Sequence, residues 1–107
     1  MGEYLLQEGY KDAAAVIIGS VLEDHLRQLT KSKGLLTANE SGKKLTMDPL
    51  NTQLAKVEAY SKLAQKQITT WAHVRNKAVH GEYNEYTNDQ VQLMLMFVQS
   101  FIAETMQ

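Results

Sequence analysis

The chain has 107 residues, of which 44% are hydrophobic and 21% are charged, and its formal net charge is −1. This length allows one domain with a small core, and the near-balanced charge argues against a strong non-specific nucleic-acid binder, which usually has a clear basic excess. The lack of cysteine excludes a disulfide framework and a thiolate zinc site.

Hydropathy and composition also bear on location and fold class. No apolar run approaches the roughly 20 residues needed to cross a membrane, and no basic segment leads into an apolar run at the N-terminus. We therefore expect a cytoplasmic protein with no membrane association. One proline, six glycines and few β-branched runs favour an all-α fold, with residues 1–107 as a single helical domain.

A long first helix is predicted over residues 3–32. Its segment Ala13–Leu22 is apolar nearly all round, which is typical of a helix buried on more than one side. Because so short a chain has little other protein to cover that segment, we expect an oligomer interface there. Gly19 would permit another helix to approach closely, and Gly34 is expected to end the helix.

Residues 34–48 are polar and show no hydropathy period, so the sequence predicts a mobile loop. Lys43 and Lys44 in this loop have two interpretations. We favour solvated side chains over contact with a phosphate backbone.

A short second helix is predicted over residues 49–59, with Asp48 as its N-cap and Pro49 in the first helical position. Its apolar face is expected to consist of Leu50, Leu54 and Val57.

Two further helices complete a predicted bundle of about four. Ser61 is the expected cap of a third helix that runs to His80, where Gly81 suits the position just past a helix end. Thr87 and Gln90 have the spacing of a capping box, which predicts a last helix over residues 88–105. The apolar stripe of this helix is Val91, Met94, Leu95, Val98, Phe101 and Ile102. Leu93, Met96 and Phe97 lie off that stripe, a second indication of burial on two sides.

The third helix carries a polar group of residues near its end. At about 100° per residue, Arg75 shares a stripe with apolar side chains, namely Ile68, Ala72 and Val79. An unpaired buried guanidinium is costly. Arg75 therefore either extends to solvent, or pairs with a structural carboxylate such as Glu23, or borders a polar cleft. Asn76 and His80 are four residues apart and neighbour each other, whereas Arg75 and His80 lie roughly 140° apart.

An arginine and a histidine suit phosphodiester cleavage without a metal ion. Histidine titrates near neutrality and can move a proton, while arginine can hold the non-bridging phosphate oxygens. RNA supplies its own nucleophile, the 2′-hydroxyl. His73 and His80 are seven residues apart, too far to share one metal, and no carboxylate pair completes a site. We expect no metal and no cofactor.

The string Arg75-Asn-Lys-Ala-Val-His80 resembles the signature of the HEPN superfamily (higher eukaryotes and prokaryotes nucleotide-binding). That signature is an arginine, four to six residues and a histidine, often with a polar residue directly after the arginine. The segment Ala13–Arg27 is also similar to the first long helix of many small bacterial members. The resemblance implies an up-and-down helical bundle that forms a homodimer, in which the two motifs meet in one cleft.

The resemblance also implies a function. Many members are metal-independent endoribonucleases, often toxins of toxin–antitoxin or phage-defence systems, whereas others are non-catalytic modules that bind nucleotide or protein. Expected partners are a second copy, RNA, and an antitoxin or nucleotidyltransferase. In one subgroup a tyrosine two residues after the histidine is adenylylated; here Tyr83 comes three after His80 and departs from that pattern.

The expected roles follow from the motif. Arg75 would clamp the phosphate, His80 would shuttle the proton and Asn76 would orient by hydrogen bonding. The candidate RNA-contacting residues nearby are Lys77, His73 and Tyr83.

Overall fold

Four α-helices make up most of residues 11–106, the part of the chain that the structure, a computed structural model, describes. They are α1 (Lys11–Ser32), α2 (Met47–Lys56), α3 (Lys62–Val79) and α4 (Asn88–Thr105), with a 3-10 turn at Tyr83–Glu85. No β-strand occurs within this range, which confirms the all-α prediction there. The predicted start of the first helix, before residue 11, lies outside the described residues. None of the helices described is long and apolar enough to span a membrane.

α1 is the central helix, and each of the other three packs against it. Near the start of α1, Asp12 accepts a hydrogen bond from the Tyr86 hydroxyl just before α4. Further along, His25 Nε2 lies 2.7 Å from the Thr105 hydroxyl at the end of α4, so α1 and α4 run parallel. A strictly alternating up-and-down order would make them antiparallel. The order differs because residues 33–46 bring the chain back beside Arg27, in the second half of α1, before α2 begins.

Buried apolar side chains from all four helices form one core. α4 contributes most of the stripe expected from its sequence: Val91, Met94, Leu95, Val98 and Phe101 are buried, and Ile102 is half-buried. α1 contributes Ala14, Ala15, Ile18 and Leu22. Of the apolar side chains outside these stripes, Val21, Leu93 and Met96 stay at the surface of the single chain, 46%, 56% and 55% exposed, whereas Phe97 is half-buried and stacks on Phe101.

Four helix ends agree with the sequence signals. Gly34 and Gly81, with φ of 72° and 74°, follow the last turns of α1 and α3 in the left-handed conformation that closes a helix. The Ser61 hydroxyl accepts a hydrogen bond from the Ala64 N–H at 3.1 Å. Thr87 and its partner glutamine form the complete capping box at the start of α4.

The start of α2 was predicted two residues too late. Thr46, not Asp48, is the N-cap, and the helix begins at Met47, which is buried in the core. Pro49 occupies the third helical position, where the missing N–H costs nothing because first-turn N–H groups have no intrahelical acceptor. At the other end, α2 stops at Lys56, and Val57, expected on its apolar face, is 49% exposed.

Residues 34–48 contain a defined turn, in contrast to the structureless loop expected from their composition. An isolated β-bridge joins Ala38 and Lys44. Inside it, the Asn39 side-chain oxygen accepts hydrogen bonds from the N–H groups of Ser41 and Lys43 at 2.9 and 3.0 Å. An asparagine side chain can stabilise a turn by bonding to backbone N–H groups that follow it in the chain. Such a turn needs no periodic pattern of apolar residues, so hydropathy periodicity does not reveal it.

We expect Thr87→Ala to lower the free energy of unfolding by about 1 kcal/mol, because the α4 capping box loses its side-chain acceptor. Urea denaturation measures the change. Thr70→Ala is the matched control, since this exposed hydroxyl bonds only to the Lys66 carbonyl within α3 and alanine favours a helix. An equal loss in both variants would contradict the capping assignment.

His25 is expected to make stability fall in mild acid. The ring is only 9% exposed and contacts Phe101 edge-on, and burial lowers its pKa. The unfolded chain therefore binds a proton near pH 6.5 that the folded chain does not yet bind, so the free energy of unfolding decreases as pH falls through about 6.5. Urea denaturation at about pH 7.5 and about pH 5.5 should show this decrease, and His25→Gln should reduce it. His73→Gln, at an exposed position of α3, should leave it in place.

Candidate functional site

The three polar residues of the motif near the end of α3 lie in two different environments. Arg75 is half-buried, with 17% of its side chain exposed, whereas Asn76 and His80 are exposed. His80 is the C-cap residue, and its N–H bonds to the Asn76 carbonyl at 3.0 Å. The helix therefore directs Arg75 towards the bundle and His80 towards solvent.

The side chain of Arg75 packs against Gly19 on α1. A Cβ atom added at Gly19 would lie 2.2 Å from Arg75 Cγ and 2.8 Å from Arg75 Cβ, far inside contact distance. The absence of a side chain at Gly19 thus lets the aliphatic part of Arg75 rest directly on the α1 backbone. The expected close helix approach at Gly19 is confirmed.

A carboxylate on α1 pairs with the guanidinium. Arg75 Nη2 donates to Glu23 Oε1 at 2.9 Å, the counter-charge considered from the sequence. The second oxygen, Glu23 Oε2, accepts from Arg27 Nη2 at 3.0 Å, so one carboxylate joins two arginines. All three side chains are at most 20% exposed. Such partly buried, charge-assisted hydrogen bonds hold the guanidinium more firmly than a solvated pair would.

Arg75 is nevertheless not sealed inside the bundle. It borders a cleft of about 170 Å³ whose other lining residues are Thr46, Met47, Asp48, Ala72 and Asn76. Arg75 Nη1 makes no hydrogen bond within residues 11–106, and it is not among their fully buried polar atoms. Among the described residues this nitrogen has no acceptor, and the cleft beside Arg75 has room for one.

His80 has an open environment at the end of α3. Its side chain makes no hydrogen bond to any residue in the range 11–106, and the flanking Val79 and Tyr83 are 57% and 47% exposed. His80 lies roughly 140° around the helix from Arg75, and it is exposed whereas Arg75 is half-buried. Within one chain the two side chains therefore point in different directions.

The three candidate RNA-contacting residues differ in their surroundings. Lys77 Nζ lies 2.8 Å from a Glu82 carboxylate oxygen and 4.0 Å from one of Glu85. Hydrogen bonding to Glu82 raises the pKa of Lys77 and lowers that of Glu82, so both groups stay charged and mutually compensated. His73 and Tyr83 are exposed.

Sequence reasoning missed two parts of this site. Glu23 was a candidate partner of Arg75 from the sequence, but Arg27, which binds the same carboxylate, was not, although its spacing of four residues from Glu23 on a helix signals a pair. One side of the cleft beside Arg75 is formed by Thr46, Met47 and Asp48. These residues end the segment 34–48, which the sequence predicts to be a mobile loop. Among the described residues, no three potential ligand side chains cluster closely enough to hold a metal ion.

Comparison of the chain with protein-family models, with curated proteins and with solved structures returned no match.

Proposed function

We propose that this chain is a metal-independent endoribonuclease of the HEPN type that acts as a homodimer. The observation that carries the proposal is the setting of Arg75, which is held by Gly19 and Glu23 and still opens onto a cleft. Five residues later, His80 offers an exposed imidazole at the end of the same helix. A preoriented guanidinium and an exposed proton carrier are the two groups that metal-free RNA cleavage needs.

The proposed reaction uses the RNA itself as nucleophile. The 2′-oxygen forms a bond to phosphorus while the bond from phosphorus to the 5′-oxygen breaks, leaving a 2′,3′-cyclic phosphate and a 5′-hydroxyl. His80, or its copy in the second chain, takes the 2′-hydroxyl proton or gives one to the leaving 5′-oxygen. Arg75 stabilises the charge that builds on the non-bridging oxygens, and Asn76 orients the phosphate by hydrogen bonding.

A second copy would solve the geometric problem of the motif, because His80 and Arg75 diverge within one chain. The exposed apolar side chains of α1 and α4, Val21, Leu93 and Met96, offer surface that a partner helix could cover. Light scattering at micromolar concentration is expected to give twice the chain mass of 12.1 kDa. A species of 12.1 kDa would contradict the homodimer.

The alternative is a non-catalytic module that binds nucleotide or protein through the same cleft. Charge compensation favours it, since Glu23 pairs with Arg75, and Glu82 and Lys77 pair with each other. Binding of RNA would then compete with carboxylates already in place.

Incubation of the purified chain with mixed RNA in EDTA separates the two functions. The ribonuclease is expected to fragment RNA and leave a DNA oligonucleotide intact, and Arg75→Ala is expected to abolish fragmentation. Gln67→Ala, at an exposed site on α3, is the control for contaminating nuclease and should cut like the wild type. Intact RNA with a confirmed dimer would favour the binding module.

A further inference from the structure

A second cleft, of about 290 Å³, lies beside the Arg75 network. Its lining residues are Asp24, Arg27, Gln28, Lys31 and Lys44. Arg27 connects it to the first cleft, because Nη2 donates both to Glu23, which also binds Arg75, and to the Leu45 carbonyl next to Lys44. Hydrogen bonds through Glu23 therefore link Arg27, which lines the second cleft, to Arg75, which lines the first.

The second cleft carries an excess of positive charge. Three cations and one carboxylate line it, so positive charge predominates there in a chain whose net charge is −1. Arg27 Nη1 binds Asp24 at 2.9 Å, which compensates one cation. Lys31 and Lys44 form no ion pair within residues 11–106, in contrast to Lys77 near the motif. No carboxylate of the described residues neutralises their ammonium groups, which suits them to bind an anion.

The fold also determines where these two lysines lie. Lys31 is in the last turn of α1, four residues after Arg27 and so on the same side of the helix. Lys44 closes the turn that starts at Ala38, and the next residue, Leu45, donates its N–H to the Thr37 carbonyl at 2.9 Å. Lys44 is thus presented by an ordered turn beside α1.

We propose that the cleft of Arg27, Lys31 and Lys44 binds the phosphodiester backbone of single-stranded RNA next to the phosphate held by Arg75. This inference rests on the proposed function, which supplies the neighbouring phosphate. Lysine acts as a point charge towards phosphate and reads no base, so the subsite contributes affinity and register without sequence preference. It also supplies the basic surface that the overall composition of the chain does not show.

The test measures RNA binding by full-length protein carrying His80→Ala, so that the probe is not cut. Fluorescence anisotropy follows a labelled single-stranded RNA oligonucleotide of mixed sequence over a series of NaCl concentrations. The double variant Lys31→Ala/Lys44→Ala is compared with Lys62→Ala/Lys66→Ala, which has the same change in charge. Lys62 and Lys66 are exposed and lie roughly 220° and 180° around α3 from Arg75.

Loss of two phosphate contacts should lower the affinity about tenfold at low salt and reduce the slope of log K against log salt by roughly 1.4. The control double variant should match the parent in both quantities. In chains that retain His80, Lys31→Ala/Lys44→Ala should raise KM and leave kcat unchanged.

Equal effects of the two double variants, or binding that does not depend on salt, would overturn the subsite. If wild-type RNA cleavage persists in that case, the proposed ribonuclease stands without it. Conversely, RNA binding that needs Lys31 and Lys44 in a chain that never cuts RNA would uphold the subsite and overturn the ribonuclease.

Discussion

Gly19→Val is expected to lower the free energy of unfolding by about 3 kcal/mol, the upper part of the usual range for overpacking a well-packed contact. The first added atom alone would fall 2.2 Å from Arg75 Cγ, and the clash involves the part of Arg75 nearest its own backbone. The side chain cannot swing clear while it remains bonded to Glu23. Either α1 and α3 must separate or Arg75 must leave its carboxylate.

Ser20→Val is the matched control for this prediction. Ser20 is the next residue of α1 and is exposed, so valine there leaves helix propensity nearly unchanged and does not meet Arg75, whereas at Gly19 valine would raise the propensity. Comparing the free energies of unfolding of the two variants, measured by urea denaturation, separates the effect of the Arg75 contact from that of helix propensity. If Gly19→Val lowered the free energy of unfolding no more than Ser20→Val does, the close packing of Arg75 against Gly19 would be contradicted. If the Gly19 variant stays folded, its RNA cleavage should fall with the displacement of the guanidinium.

His80→Ala is expected to lower the rate of RNA cleavage by about 10²-fold or more, the usual scale for the loss of one acid–base group. Because His80 is exposed and its side chain makes no hydrogen bond within the described part of the chain, the free energy of unfolding should stay within about 0.5 kcal/mol of the wild type. Loss of activity without loss of stability would assign a chemical role to the imidazole.

Arg75→Lys tests the role of the guanidinium, the group that acts together with His80 in the proposed mechanism. An ammonium cannot reproduce the planar fork of the guanidinium, which binds Glu23 through Nη2 and has further N–H donors, so the cleavage rate should again fall sharply. Single-turnover cleavage of a labelled RNA measures both variants. Retention of the full rate in either one would remove that residue from the mechanism, whereas Gln67→Ala is expected to retain it.

The four helices were predictable because their signals are local. Hydropathy period locates the core face of α4, and Ser61, Thr87, Gly34 and Gly81 have the side chains that start or end helices. The start of α2 was not predictable in this way, because the burial of Met47 in the core decides it. Tertiary packing there outweighs the local preference of the aspartate and proline that follow.

The candidate site was predictable only in part. The place of Arg75 on an apolar stripe indicates that it needs a partner or a cleft, and the structure shows both. The partner Glu23 lies 52 residues away in sequence, and the contact depends on how closely α1 and α3 approach at Gly19. The other side of the cleft is formed by residues 46–48, at the end of a connecting segment whose sequence shows no hydropathy period. No pattern within one segment contains that information.

Mass spectrometry of RNA ends, after wild-type protein has acted in EDTA, tests the central proposal most directly. The 2′-hydroxyl mechanism predicts that every new fragment carries a 2′,3′-cyclic phosphate or its hydrolysis product at one end and a 5′-hydroxyl at the other. New 3′-hydroxyl ends, or cleavage that EDTA abolishes, would contradict it.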